Sequence, residues 1–163
     1  MATVSAGGEP ELRTVILRGI SKTGQPYFFS DARTQKGAAL AILPKLELCA
    51  YWRKSNEQFR LRGAAELVMN ADSPWSQRRL ELWRSQNEDN QALFLGAAPG
   101  TRLKHTTTSK RHTDKQPTDK PPAHFILIVL NPERVDYLKL AQPHHRTLYR
   151  LKNGEWQTQA VVP

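Results

Sequence analysis

Cysteine is almost absent from this 163-residue chain, with Cys49 the only one. A lone cysteine forms no intrachain disulfide and cannot build a tetrahedral thiolate zinc site. Long apolar runs are missing too: none, the six residues Phe125 to Leu130 included, approaches the roughly 20 residues that a bilayer-spanning helix needs. The opening residues Met1 to Gly8 hold no basic start followed by an apolar stretch, so no signal peptide is expected and the cytoplasm is the default location. Acidic charge is scarce. There are 24 Lys and Arg against 15 Asp and Glu, a net +9. Such an excess implies an anionic partner, either nucleic acid or a small phosphorylated ligand held by several cations. Residues 101–122 hold six cations against Asp114 and Asp119, so +4 of the total is concentrated there. The length suits a single domain over 1–163 built on one core.

What is present is mostly strand-like. Val4 and Leu12 to Gly19 read as extended segments joined by a Gly7-Gly8 turn, and Pro26 to Ser30 as a short aromatic strand after a Thr23-Gly24 turn. A helix is expected from Thr34 or Gln35 to Leu43, stopped by Pro44. Leu46 to Trp52 and Glu57 to Met69 read as a hairpin, with Phe59 and Leu61 alternating against Gln58, Arg60 and Arg62. Ser73 as N-cap with Pro74 at the first position predicts a second helix, and a third piece is expected around Gln91 to Leu95. The Thr/Lys/Pro-rich stretch from about 100 to 122 reads as a mobile basic loop. Four strands close the chain: Phe125 to Leu130, Arg134 to Leu140, Thr147 to Leu151 and Trp156 to Val161. Pro132, Pro143 and Asn153-Gly154 mark their turns. The pattern predicts a mainly antiparallel β-barrel of α+β character.

Four short clusters carry candidate chemistry. Arg13-Thr14-Val15-Ile16-Leu17-Arg18 places cations at both ends of an apolar strand, which also suits two surface arginines flanking a core strand. Phe29-Ser30-Asp31-Ala32-Arg33-Thr34-Gln35-Lys36-Gly37 joins hydroxyls, cations and a helix start, the groups that a phosphate dianion requires. An N-capped helix with a solvated first turn would read the same way. Gln58 opens a strand with an amide that both donates and accepts, and Arg146 opens a late one. His144-His145 carries no metal expectation, because neighbours on a strand face opposite ways and no Cys or acidic cluster accompanies them. Trp75, Trp83 and Trp156 are expected to be packing residues.

Taken in order, R-T-V-x-L-R-G from Arg13, F-F-S-D-x-R-x-x-K from Phe28, E-Q-F from Glu57, R-x-L-Y from Arg146 and the closing E-W-x-x-Q…P from Glu155 resemble the FMN-binding family of pyridoxamine 5'-phosphate oxidase. The likeness spans about Ala2 to Pro163 outside the basic loop. It implies an antiparallel split β-barrel with a few peripheral helices, FMN as cofactor, a homodimer with flavin at the interface, and oxidoreductase activity on a small molecule. Carried over by position, Arg13 and Lys36 grip the FMN phosphate, with Ser30 and Arg33 nearby. Arg18 lies beside the isoalloxazine, Gln58 reaches the flavin from the partner subunit, and Arg146 stands near the ring. Thr14, Val15 and Phe29 complete the implied cofactor-binding set, and no catalytic residue is assigned. Arg13 and Arg18 differ in strand parity, so a bulge or a backbone contact is required between them.

The substrate half of the family pattern is not matched. The central helix of those oxidases carries a Tyr, an Arg and a Ser for the substrate phosphate. Here Leu82 and Gln86 stand at the aligned Tyr and Arg positions, with Arg84 close by as a partial substitute. No R-x-H precedes Arg146, and Leu138 stands where the family has a strand tryptophan. The expected function is an FMN-dependent oxidoreductase that oxidises or reduces a small organic substrate. The alternatives are a flavin-binding protein or reductase without pyridoxamine-phosphate oxidase activity, and a nucleic-acid-binding barrel using the basic loop. The last leaves Arg13, Lys36 and Gln58 unexplained.

Overall fold

The computed structural model describes residues 1–102 and 118–163. Most of the basic stretch that the sequence assigns to a mobile loop therefore lies outside the described residues. The chain runs β1 (Ala2–Val4), β2 (Pro10–Leu12), β3 (Gly19–Ile20), β4 (Pro26–Asp31), α1 (Gln35–Ile42), β5 (Lys45–Trp52), β6 (Glu57–Val68), α2 (Ser76–Arg84), α3 (Glu88–Leu95), β7 (Phe125–Lys139), β8 (His145–Lys152) and β9 (Glu155–Ala160). The strands form one antiparallel sheet in the order β2-β1-β5-β6-β7-β4-β3, with β8 and β9 added on β7. The first part of β7 pairs with β4 (Phe125 to Val129) and its second part with β8 (Arg134 to Lys139), while β6 runs along both. This division of one edge between two strands makes the architecture an antiparallel split barrel.

Pro132 does not end a strand, contrary to the sequence expectation, and Phe125–Lys139 is continuous. The register shifts between Arg62 and Gly63: Arg62 faces Arg134 and Gly63 faces Pro132, leaving Glu133 as an extra residue. Such a bulge tolerates the missing proline N–H and swaps which face later side chains occupy. Gly63 permits the approach, since a Cβ there would lie 1.9 Å from the Asn131 carbonyl oxygen.

Two other boundaries differ. Ordered pairing of the second strand stops at Leu12, and residues 13–18 lie outside any strand. The second helix begins at Ser76, with Trp75 as N-cap. Ser73 instead accepts a bond from the Trp75 N–H at 3.2 Å and donates to Glu66 at 2.8 Å, which forms a turn ahead of the helix. The other helices start on side-chain caps: the Thr34 hydroxyl accepts from Gly37 N–H and Asn87 accepts from Asn90 N–H. Asn153 and Gly154, both at positive φ, make the β8–β9 turn as expected.

The sheet buries both faces where β7 begins, and all six residues from Phe125 to Leu130 are fully buried. On the barrel-interior face Phe28, Leu46, Leu48, Ala65, Ile126, Ile128 and Leu130 pack with Met1 and with Leu40 of α1. On the other face Tyr27, Val68, Leu127 and Val129 pack under Trp75 and Leu82, and Trp83 joins Phe94 and Phe125 edge to face. Trp156 departs from the expectation of a packing role: it is 46% exposed on β9, whose six residues all face solvent within the chain. No described helix is long and apolar enough to cross a membrane.

Gly63→Ala is expected to destabilise the fold by about 2 kcal/mol or more, since backbone must move to admit the methyl group. Urea denaturation measures this, and a loss below about 0.5 kcal/mol would show that the close approach does not constrain the bulge.

Candidate cofactor-binding site

Arg13, Thr14 and Val15 leave β2 as irregular chain held from both sides. The Arg13 N–H donates to the Met1 carbonyl at 3.1 Å, and the Arg13 carbonyl accepts from the Met1 ammonium at 2.8 Å. Its guanidinium donates to the Thr3 hydroxyl at 2.5 Å and the Glu11 carbonyl at 3.0 Å, and pairs with the Glu11 carboxylate. Val15 packs on the barrel core. The three residues line a cavity of about 470 Å³ with Leu48 and Cys49 of β5.

Lys36 sits in the first turn of α1. Its ammonium bonds the Thr34 hydroxyl at 3.3 Å, and no carboxylate pairs with it among the described residues. Burial pulls the Lys36 pKa below its ordinary value, and the nearby Arg13 charge pulls it further. Two cations that disfavour each other, beside helix N–H groups, form a setting that an anion would relieve. The loop before the helix lies close to that turn: a Cβ on Gly37 would lie 2.4 Å from the Ala32 carbonyl oxygen. These groups fit the phosphate end of FMN. Ser30 is buried on β4, paired opposite Ile126 on the face that α1 covers.

Arg33 has a different role from the one its position suggests. Its guanidinium holds both Asp31 oxygens and the carbonyls of Phe94 (3.0 Å) and Gly96 (3.0 Å). It therefore ties the end of α3 to the end of β4, and a phosphate would have to break those bonds to use it. Arg18 lies with its guanidinium 4.3 Å from the centre of the Phe29 ring, a cation–π contact. Its backbone N–H donates to the Tyr27 carbonyl. Since residues 13–18 form no paired strand, the parity conflict between Arg13 and Arg18 is resolved by irregular chain rather than by a bulge.

Gln58 and Arg146 form a separate group. Both pair across to Leu138, one from β6 and one from β8, so all three share a sheet face. The same face carries Arg60 opposite Asp136. Asp136 is 3% exposed and accepts from Arg146 at 3.1 and 3.0 Å and also from Arg60, with Arg134 at 3.7 Å. No contact joins this group to Arg13 or Lys36 among the described residues; β5 and β1 separate β6 from β2. The sequence reading missed Asp136. Its only sign is an acid inside a strand flanked by arginine-bearing strands, and the register that pairs them is a tertiary fact. Among the described residues no cluster of His, Cys, Asp and Glu could hold a metal.

The bonds from Arg146, with those from Arg60, hold the Asp136 carboxyl below the usual carboxylate range in spite of burial. A depressed folded value means that its contribution is present above the unfolded pKa and is lost as pH falls through the folded one. Asp136→Asn is expected to lower stability at neutral pH and to flatten the acid side of the stability–pH curve. Urea midpoints measured across acidic pH test this, and an unaltered acid limb would contradict it.

Comparison with known proteins gives these groups a context. Residues 1–69 match the family model described as pyridoxamine 5'-phosphate oxidase, FMN-binding domain. Pyridoxine/pyridoxamine 5'-phosphate oxidase 2 of Arabidopsis thaliana is 29% identical over all of this chain and 85% of its own length. The oxidase of Pseudomonas putida is 28% identical, covering 76% of its length. A pyridoxamine 5'-phosphate oxidase-related, FMN-binding protein from Nostoc punctiforme superposes with a TM-score of 0.87 at 29% identity, over 99% of this chain and 86% of that one. PhzG of Burkholderia lata, solved with tetrahydrophenazine-1-carboxylic acid, shares the fold at 16% identity and a TM-score of 0.79, over 99% and 80% of the two chains. With its split barrel, the matched FMN-binding region and these relatives, the chain is similar over its whole length to the pyridoxamine 5'-phosphate oxidase-related FMN-binding split-barrel proteins, and FMN is its cofactor.

Proposed function

We propose that the protein is a cytoplasmic, homodimeric FMN-dependent oxidoreductase acting on a small organic substrate other than pyridoxamine phosphate. The observation that carries the cofactor half is the Lys36 ammonium, half-buried without a carboxylate and pressed by Arg13. These two cations, with Thr14 and Val15, hold the phosphate end. FMN, when bound, supplies a hydride acceptor or donor. Arg146 favours negative charge on a neighbouring flavin ring, Gln58 can bond its pyrimidine edge, and Asp136 keeps the Arg146 guanidinium oriented.

The dimer is supported by apolar surface left uncovered around the first group: Leu12 is 82% exposed and Ile16 67%. Exposed apolar clusters of this kind mark interaction surfaces. A second subunit could then bring Gln58 and Arg146 to the phosphate-binding residues, which a single chain does not do. The exposed thiol of Cys49 suits a reducing compartment.

The substrate half rests on α2. Leu82 is a packing residue against the outer core, and the Gln86 amide donates to the Leu82 carbonyl of its own helix at 2.8 Å. Arg84, the candidate substitute, is paired with Asp119 at 2.9 and 2.5 Å. No free cation stands at these helix positions to receive a substrate phosphate.

Purified protein is expected to be yellow, or to become so with added FMN. Lys36→Ala and Arg13→Ala should each weaken FMN binding roughly tenfold or more, the loss of a charge-assisted bond. Flavin fluorescence titration measures it. Colourless protein that takes up no FMN would overturn the reading, and rapid turnover of pyridoxamine phosphate would overturn its substrate half. If the site is shared, mixing Arg13→Ala with Gln58→Ala subunits should recover part of the flavin binding that each has lost. No recovery in mixed dimers would contradict a shared site.

A further inference from the structure

Arg79 of α2 is 8% exposed, and no carboxylate pairs with it among the described residues. Its Nε donates to the Phe125 carbonyl at 2.6 Å and its Nη2 to the Pro122 carbonyl at 2.8 Å. Two backbone dipoles hold the guanidinium in place without neutralising it. Burial accordingly pulls Arg79 below the ordinary guanidinium pKa. The other paired arginines of the described chain each meet an acid, so Arg79 is the exception among the buried charges.

This guanidinium lines a cavity of about 440 Å³ between the start of α2, the residues after β6 and the segment entering β7. That size falls within the range of small-molecule sites. Lys120 and Ser76 also line it, no Asp or Glu does among the described residues, and Met69, Leu80 and Pro121 provide apolar wall. A buried charge without a counter-ion is costly unless something pairs with it. The cavity offers that partner an opening beside a second cation.

We propose that this cavity is a binding site for a small phosphate monoester, separate from the flavin site. Two of the five Arg79 N–H donors are committed to carbonyls, which leaves the Nη1 protons and one Nη2 proton for a ligand. The Arg79 guanidinium, the Lys120 ammonium and the Ser76 hydroxyl offer donors from three side chains, and two cations match a phosphate dianion better than a singly charged carboxylate. The apolar wall receives the organic part. The site lies on the α2-covered side of the sheet, whereas Ser30 and α1, which carries Lys36, lie on the barrel-interior side. It does not rest on the flavin reading.

Phenyl phosphate is the probe, titrated by calorimetry into the full chain loaded with FMN and, in parallel, into Lys36→Ala protein, where the other anion site is removed. One molecule per chain is expected in both, with benzoate binding at least tenfold more weakly and thermal stability rising with phenyl phosphate concentration. Lys120→Ala and Ser76→Ala alter side chains outside the core and should each weaken phenyl phosphate severalfold, leaving FMN affinity unchanged. Arg79→Lys keeps the charge but loses the carbonyl tether, and should weaken binding while the protein stays folded by circular dichroism. Absence of binding at millimolar phenyl phosphate would overturn the proposal. So would binding that survives both Lys120→Ala and Ser76→Ala unchanged, or binding that disappears only with Lys36→Ala.

Discussion

Gly63 and Pro132 meet backbone to backbone where β6 and β7 change register, and much of the molecule depends on that contact. Before it, even-numbered residues of β7 fill the barrel interior with Phe28, Leu40 and Leu46. After it, the extra Glu133 reverses the alternation, so that Asp136 and Leu138 lie on the face with Gln58, Arg60 and Arg146. Without the bulge an aspartate would be directed toward the apolar core side. With it, one strand serves two unlike surroundings, a dry core at one end and a charged face at the other. The Lys45 ammonium pairs with Glu133 at 2.7 Å, so even the extra residue has a surface partner.

The charges divide into those that the fold satisfies internally and those it leaves for something else. Arg33 is saturated by Asp31 and the end of α3, Arg84 by Asp119, and Arg60 and Arg146 share Asp136. Arg79 is buried and Lys36 half-buried, and neither pairs with such an acid among the described residues. The distinction matters for function because a guanidinium engaged on every side, like that of Arg33, has less to offer a ligand than an ammonium pressed by a neighbouring cation; Arg13, although paired with Glu11, supplies that neighbouring charge. The proposed site for the cofactor's phosphate is therefore the Lys36 side of the helix start, although Arg33 is only three residues away.

Likeness to a flavin-binding family does not fix a reaction. The relatives named as oxidases are under 30% identical to this chain, and the helix positions that would receive a substrate phosphate hold a packing leucine and a self-bonded glutamine. In the proposed reading the flavin site and the substrate site use different elements, so one can be retained while the other changes. In the proposed reading the split barrel allows this, because the residues for the cofactor phosphate lie on α1 and the segment after β2, while the positions for a substrate phosphate lie on α2.

Periodicity and turn chemistry determined most of the elements: the hairpin of β5 and β6, the Asn153-Gly154 turn, and α1 between Thr34 and Pro44 are all local consequences of residue type. The ordered motifs, through their likeness to a known family, also singled out Arg13, Lys36, Gln58 and Arg146 as candidates. Tertiary structure decided what each of them faces. Pro132 reads locally as a stop, and only the pairing with Gly63 turns it into a bulge. Arg33 and Lys36 look alike in the sequence, and only the packing of α3 determines which one is spent. Local signals act over a few residues, whereas the partner of a buried charge is set by strands that are distant in sequence and adjacent only in the folded sheet.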